Sequence, residues 1–404
     1  MKPGSWPSIL GVYLAGVCGA STVSKLIPLA GDIARDFQIV GADFGWLVAL
    51  VALPAAIFAI PSGMVVDTWG SRRVLIGAGI LGVIANGIYL IADSLPVIML
   101  ARLAEGLAVV HIYSAAPAFL IATVKGKRLT NAMTLWSTYA PVGTAIGLAI
   151  GGIFAETAIW RMTFVGHGLL FALAGLMAAL QSEAAPAKRA AKSLGARLTD
   201  LFSAFVRPQL LTLGIAFLAV VSLGVGANLT LPLFIAQVHD LSPGSASSIV
   251  ASATLVMVLG SGLSAALLGR GIATTKVFAV VTVIGFTVGA LSFWPELSLT
   301  ARIGVMLVWF LMSGASLAAI LAALPAAADP ERPGAAAGLI NLAGALAALL
   351  NPPLWIGIFE SGRWQSFPWL MAAGWLTGLV MIWLVFRLIR PADPAARAAP
   401  SEMS

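Results

Sequence analysis

Twelve apolar runs, each roughly 18–25 residues long, follow one another along this chain with little between them. A helix of that length crosses the hydrocarbon core of a bilayer, about 30 Å thick. Inside hydrocarbon every backbone N–H and C=O has to be satisfied within the protein, which restricts such runs to helices. The runs cover about Trp6 to Leu29, Phe44 to Val66, Val74 to Ala92, Pro96 to Thr123, Ala132 to Phe154 and Thr163 to Gln181. After a gap they resume at Pro208 to Ile235, Ala246 to Leu268, Val277 to Phe293, Leu299 to Leu324, Gly334 to Ile358 and Phe367 to Ile389. The first is too long for the core of a signal peptide and lacks a convincing cleavage site, so it is read as a span. With 60% hydrophobic and 10% charged residues, the chain has too little polar surface for a soluble globule. The expected fold class is an all-α membrane protein with twelve transmembrane helices.

The gap divides the chain. Residues 1–182 form a first six-helix bundle, 183–206 a polar, basic linker with room for a short surface helix, and 207–390 a second bundle. The Ala/Pro-rich tail 391–404 is expected to be disordered. With the N-terminus inside, seventeen Lys and Arg fall on the inner side and three, Arg35, Arg161 and Arg363, on the outer; Lys25, Arg102 and Arg302 lie within spans. The positive-inside rule then places both termini in the cytoplasm of a multi-pass inner-membrane protein. The same bias accounts for the net charge of +7, and no nucleic-acid partner is expected. Cys18 is the only cysteine and the three histidines lie far apart. A disulfide, a metal site and a cofactor are therefore not expected, and no nucleophile–base constellation suggests an enzyme. The halves echo each other: Arg102 and Arg302 open the fourth and tenth spans, and Arg128 and Arg332 precede the fifth and eleventh. A weak repeat half a chain long predicts two pseudo-symmetric bundles.

Between the second and third spans lies Gly63-Met-Val-Val-Asp67-Thr-Trp-Gly70-Ser-Arg72-Arg73. Gly70 permits a turn that a residue with a Cβ resists. The stretch resembles the loop signature of the major facilitator superfamily, matching at Gly63, Asp67, Gly70, Arg72 and Arg73 and departing at Thr68 and Ser71, where basic residues are common. The resemblance implies a cytoplasmic latch, or gate, that holds neighbouring helices in one state and releases them in the other. Taken alone, the stretch also fits a plain positive-inside loop. Arg102-Leu-Ala-Glu105-Gly106 looks like the superfamily's fourth-helix motif, whose Arg faces the central cavity and is tied to substrate or proton coupling. Tyr139-Ala140-Pro141-Val142-Gly143 is an incomplete version of an exporter signature. The Lys of the first span, the fourth-span motif and the Trp136 to Pro141 run are most similar to the cyanate-permease-like branch.

Charges within spans are costly, about 2.5–3.5 kcal/mol each at the bilayer centre on insertion scales. Lys25 shares a face with Cys18, Ser21 and Thr22; it either lines a water-filled path, where it suits an anionic substrate, or snorkels to the outer interface. Arg102 and Glu105 are i, i+3 and pair, with Tyr113 on the same face. Glu105 is the first choice for a proton carrier, the alternative being a static ion pair. His111 lies opposite and is read as bonding to a neighbouring helix. Arg302 is an interfacial anchor or a binding residue, with Trp309, Ser313 and Ser316 on its face. Trp136, Tyr139 and Gly143 form a stripe suited to stacking on a substrate or to packing. Asn228, Asn341 and Asn351 must find partners in hydrocarbon, and any one can join helices.

The expected substrate-binding set is Lys25, Arg102, Tyr113, Trp136, Tyr139, Asn228, Trp309, Ser313 and Asn341. The function implied is secondary active transport of a small organic anion or acidic amphipathic metabolite by alternating access. The expected partners are that substrate, the lipid bilayer and protons, and a monomer is expected. The alternative is a proton-driven drug or metabolite exporter.

Overall fold

The computed structural model describes residues 1–182, 207–327 and 333–389, with a few single positions between 193 and 202. The linker 183–206 and tail 391–404 thus lie almost wholly outside the described residues, as does Arg332. The described residues are nearly all helical, and eleven helices are long and apolar enough to cross a membrane. Their outward faces carry large apolar side chains such as Ile91, Leu259, Val283 and Trp369, 66–78% exposed in the bare protein. A belt of that kind requires a hydrocarbon surround.

Span 1 continues past its expected end: Trp6–Ser24 leads through the turn Ile27–Leu29 into Ala30–Phe37. Span 2 consists of Gly41–Ala49 and Leu53–Trp69, joined by a 3₁₀ turn. Span 3 is Ser71–Ile91, span 4 Leu95–Thr123 and span 6 Met162–Ala179. The expected fifth span is two pieces, Gly126–Trp136 and Tyr139–Phe154, of which the second is shorter than a full crossing. Pro141 supplies the reason: it has no N–H for the carbonyl of Ser137, four residues earlier, and the helix breaks there. Span 7 is Pro208–His239. Span 8 is Pro243–Thr254 with Val256–Gly269, span 9 Thr274–Ser292 and span 10 Leu299–Ala327. Span 11 is Pro333–Glu360 and span 12 Phe367–Leu388.

Spans 1 to 6 form one bundle and spans 7 to 12 the other. Within the first, Gly143, Gly147 and Gly151 on span 5 abut backbone or side-chain atoms of Val17, Ser24 and Lys25 on span 1. Small residues every fourth position let two helices approach this closely. Two contacts between the bundles lie on the side remote from the N-terminus, here termed the far side. Gly45 of span 2 seats on the backbone of Pro352 and Pro353 of span 11, and Gly152 of span 5 meets Gly244 of span 8. The opposite halves of spans 5 and 8, Gly126–Trp136 and Val256–Gly269, pack mainly within their own bundles.

Candidate functional site

A buried lysine, arginine and glutamate converge inside the first bundle. Lys25, Arg102 and Glu105 are all 0% exposed. Lys25 Nζ donates to Glu105 Oε1 at 2.5 Å, to Asn86 Oδ1 at 2.8 Å and to His167 Nδ1 at 2.9 Å, which uses its three protons. It also lies 4.8 Å from the Tyr89 ring and 5.2 Å from that of Phe164. Glu105 Oε1 accepts further from Asn86 Nδ2 at 3.3 Å, and Oε2 accepts from Tyr89 at 3.1 Å and Arg102 Nη1 at 3.1 Å. A proton on Glu105 would therefore have to displace one of these donors.

Arg102 carries the cluster outward to two further helices. It donates to Thr22 O at 2.8 Å on span 1, and to Leu47 O at 3.1 Å and Val48 O at 2.5 Å on span 2. Those two carbonyls belong to the last turn before span 2 narrows ahead of Pro54. His167 completes the set. Ser21 gives its hydroxyl proton to Cys18 O at 2.8 Å, so His167 Nε2, 2.8 Å from Ser21 Oγ, is the donor there and Nδ1 is free to accept from Lys25. Two cations and one carboxylate are thus held among neutral polar groups from spans 1, 3, 4 and 6. Gly106, beside Glu105, lies so close to Val51 O and Pro54 that a Cβ would collide with both.

Lys25 neither lines open space nor snorkels, which corrects both expectations. Its span extends to Phe37, so it sits well inside the membrane-length segment and not a few residues from the end. The turn after Ser24 aims it into the bundle, where Glu105 offers a full opposite charge that an interface does not. The pairing of Arg102 with Glu105 is as expected, at 3.1 Å. Asn86, Tyr89 and His167 escaped the sequence reading. Asn86 and Tyr89 lie i, i+3 on one face of span 3, a polar pair that charge counting passes over.

The structure brings three of the expected aromatics together. Tyr139 lies 5.1 Å from Tyr113 and 4.7 Å from Trp136 between ring centroids. The group rests on span 1, with Trp136 against Gly16 and Tyr113 against Gly19. Tyr13 and Thr138 hydrogen-bond at 2.9 Å beside it.

The second bundle contributes less. Asn228 accepts from Thr254 at 2.9 Å and joins spans 7 and 8. Asn351 donates to Ser222 at 2.9 Å and accepts from Trp355 Nε1 at 3.1 Å. Trp309 faces Gly289 and Trp375 on spans 9 and 12, away from the first bundle, so its expected binding role has no geometric basis. Ser313 is 6% exposed and Asn341 is exposed on span 11. Arg302 is fully buried as a clamp, donating to the carbonyls of Ser292, Trp294, Pro295 and Leu297 and to His239. His111 bonds to Leu107 O on its own helix, not to a neighbouring one.

At the loop after span 2, Gly70 has φ +82° and ψ 145°, a conformation open essentially to glycine alone. Arg72 donates to Ala179 O at 2.7 Å, tying the start of span 3 to the end of span 6. Gly63 lies within the helix of span 2 and Arg73 is exposed, while the Asp67 side chain is outside the described residues.

A family model described as Major Facilitator Superfamily matches residues 12–352. It is a match to the superfamily as a whole, and the branch resemblance noted above has no counterpart in it. A curated relative, the Multidrug resistance protein Stp of Mycobacterium tuberculosis strain CDC 1551 / Oshkosh, is 32% identical over 137 residues. The match covers 33% of this chain and 25% of that protein; the Stp of strain H37Rv matches to the same extent. Among solved structures, a bacterial homolog to the human lysosomal transporter Spinster is similar in its inward-facing, unoccupied conformation. Its TM-score is 0.73 at 17% identity, over 96% of each chain. The occupied, inward-facing form gives 0.71 at the same identity.

Proposed function

Because the chain belongs to the major facilitator superfamily of membrane transporters, we propose that it is a proton-coupled secondary transporter of amphipathic small molecules, working by alternating access. In this reading the bundles 1–182 and 207–390 rock against each other in the inner membrane, as a monomer with both termini in the cytoplasm. Lys25 is fully engaged by Glu105, Asn86 and His167. An anion-binding role for it loses its support, and the cluster takes the part of the coupling site. The aromatic group Tyr113, Trp136 and Tyr139 is the proposed substrate contact.

One observation carries the coupling. Arg102 connects Glu105 to the carbonyls of Leu47 and Val48, next to Gly45, where span 2 seats on span 11. A proton arriving at Glu105 would loosen Arg102 and with it the half-helix that seals the far side. The test uses vesicles of purified protein with a fluorescent amphipathic substrate. An imposed pH gradient should drive flux in the native protein. Glu105→Gln should keep substrate counterflow but lose the response to the gradient. Gradient-driven flux that survives in Glu105→Gln would remove Glu105 as carrier. A second reading, export of drugs, is favoured by the 137-residue match to Stp; accumulation inside inside-out membrane vesicles marks export, and accumulation inside intact cells marks import.

A further inference from the structure

Far from the buried cluster, a groove of about 320 Å³ runs between the two bundles on the far side. We propose that it binds a primary ammonium group carried on an apolar body. Ile27, Leu233 and Phe359 supply apolar wall, and Glu156 and Glu360 bring two carboxylates from opposite bundles. No basic residue lines it. Ser247 also lines the groove; its side chain is fully buried and its hydroxyl has no hydrogen-bond partner among the described residues. A buried hydroxyl without a partner is costly, and one lining a groove is satisfied by an occupant that donates or accepts there.

The surroundings favour a cation. The far-side loops and helix ends hold eight Asp and Glu against four Arg. Three of those Arg are already committed: Arg35 pairs with Asp32 and Asp36, Arg161 lies 3.7 Å from Asp36, and Arg302 donates to the loop carbonyls of Trp294, Pro295 and Leu297. Glu156 is fixed in place by its own amide, which donates to Asp32 at 2.9 Å. A cleft with carboxylates on both walls and low-dielectric sides concentrates cations and excludes anions. The volume is at the lower end for small-molecule sites. The site depends on the transport reading only for its purpose, since its chemistry is separate from the Lys25–Glu105 cluster.

The probe is dansyl-hexylammonium, with dansyl-aminohexanoate as the anion of nearly the same shape. Both are titrated at equilibrium, without a gradient, against the full chain in phosphatidylcholine–phosphatidylglycerol nanodiscs. The cation should bind saturably and the anion should not. The double variant Glu156→Gln/Glu360→Gln should weaken the cation about tenfold or more, with an unchanged thermal midpoint, and Ser247→Ala should weaken it severalfold. Equal binding of both probes, or native affinity in the double variant, overturns the proposal. Adding phosphatidylethanolamine separates two sources of the same group: competition assigns the site to a lipid headgroup, and its absence to a free amine. Gradient-driven transport that persists while the probe fails to bind removes the groove alone; probe binding in a protein that moves no substrate removes the transport reading alone.

Discussion

At the residue scale, the buried cluster is asymmetric in a way that substitutions should expose. If Lys25 is replaced by Met, Glu105 still has Arg102, Tyr89 and Asn86, and the remaining ion pair is neutral overall. If Glu105 is replaced by Leu, two cations are left facing each other in hydrocarbon. Breaking a buried pair and leaving an uncompensated charge costs about 3–5 kcal/mol. The thermal midpoint of purified protein should therefore fall much further for Glu105→Leu than for Lys25→Met. The reverse order would show that Lys25, not Glu105, is the centre of the network. Gly106→Ala should also destabilise, by about 1–3 kcal/mol, because its Cβ would meet the Val51 carbonyl and the Pro54 ring.

At the element scale, the breaks in spans 1, 2 and 5 decide where side chains point. The turn after Ser24 turns Lys25 inward, and the narrowing before Pro54 leaves Leu47 and Val48 carbonyls beside Arg102. The break at Ser137–Thr138 places Trp136 and Tyr139 side by side over span 1. Pro141→Ala restores the missing N–H and should let span 5 run straight. The new amide at position 141 should then exchange slowly, bonded to the Ser137 carbonyl, and affinity for an amphipathic substrate should fall as the aromatic group separates. Unchanged substrate affinity together with slow exchange would dissociate the aromatics from binding.

For the whole molecule, the seam at Gly45 with Pro352–Pro353 and at Gly152 with Gly244 holds the far side shut. A larger side chain there should wedge it open. Cys18 is buried and is the chain's sole cysteine, so an introduced cysteine reports without background. Ala251→Cys lies one turn deeper than Ser247 on span 8 and is only 6% exposed, so it is shielded while the seam is closed. Its labelling by an impermeant maleimide should speed up when Gly45→Leu is added. Equal labelling rates would mean that this seam does not govern access from the far side.

The length and spacing of the apolar runs determined the helices, their number in outline and the division into two bundles, because an apolar run of that length satisfies its own backbone in hydrocarbon only as a helix. The same logic singled out Lys25, Arg102 and Glu105, since an ion is kept in a span only for a reason. The pairing of Arg102 with Glu105 was legible from their i, i+3 spacing, but which way Lys25 faces was not. Lys25, Asn86, Glu105 and His167 come from four spans and as many as 142 residues apart, and no local periodicity records which helices will be neighbours. Trp309 and Arg302 had the residue types of a binding face and proved to be packing and a clamp, because helix rotation is set by the partners on every side. The sequence carries the cost of burying a charge; only the tertiary arrangement supplies the groups that meet that cost, and so decides where the charge points.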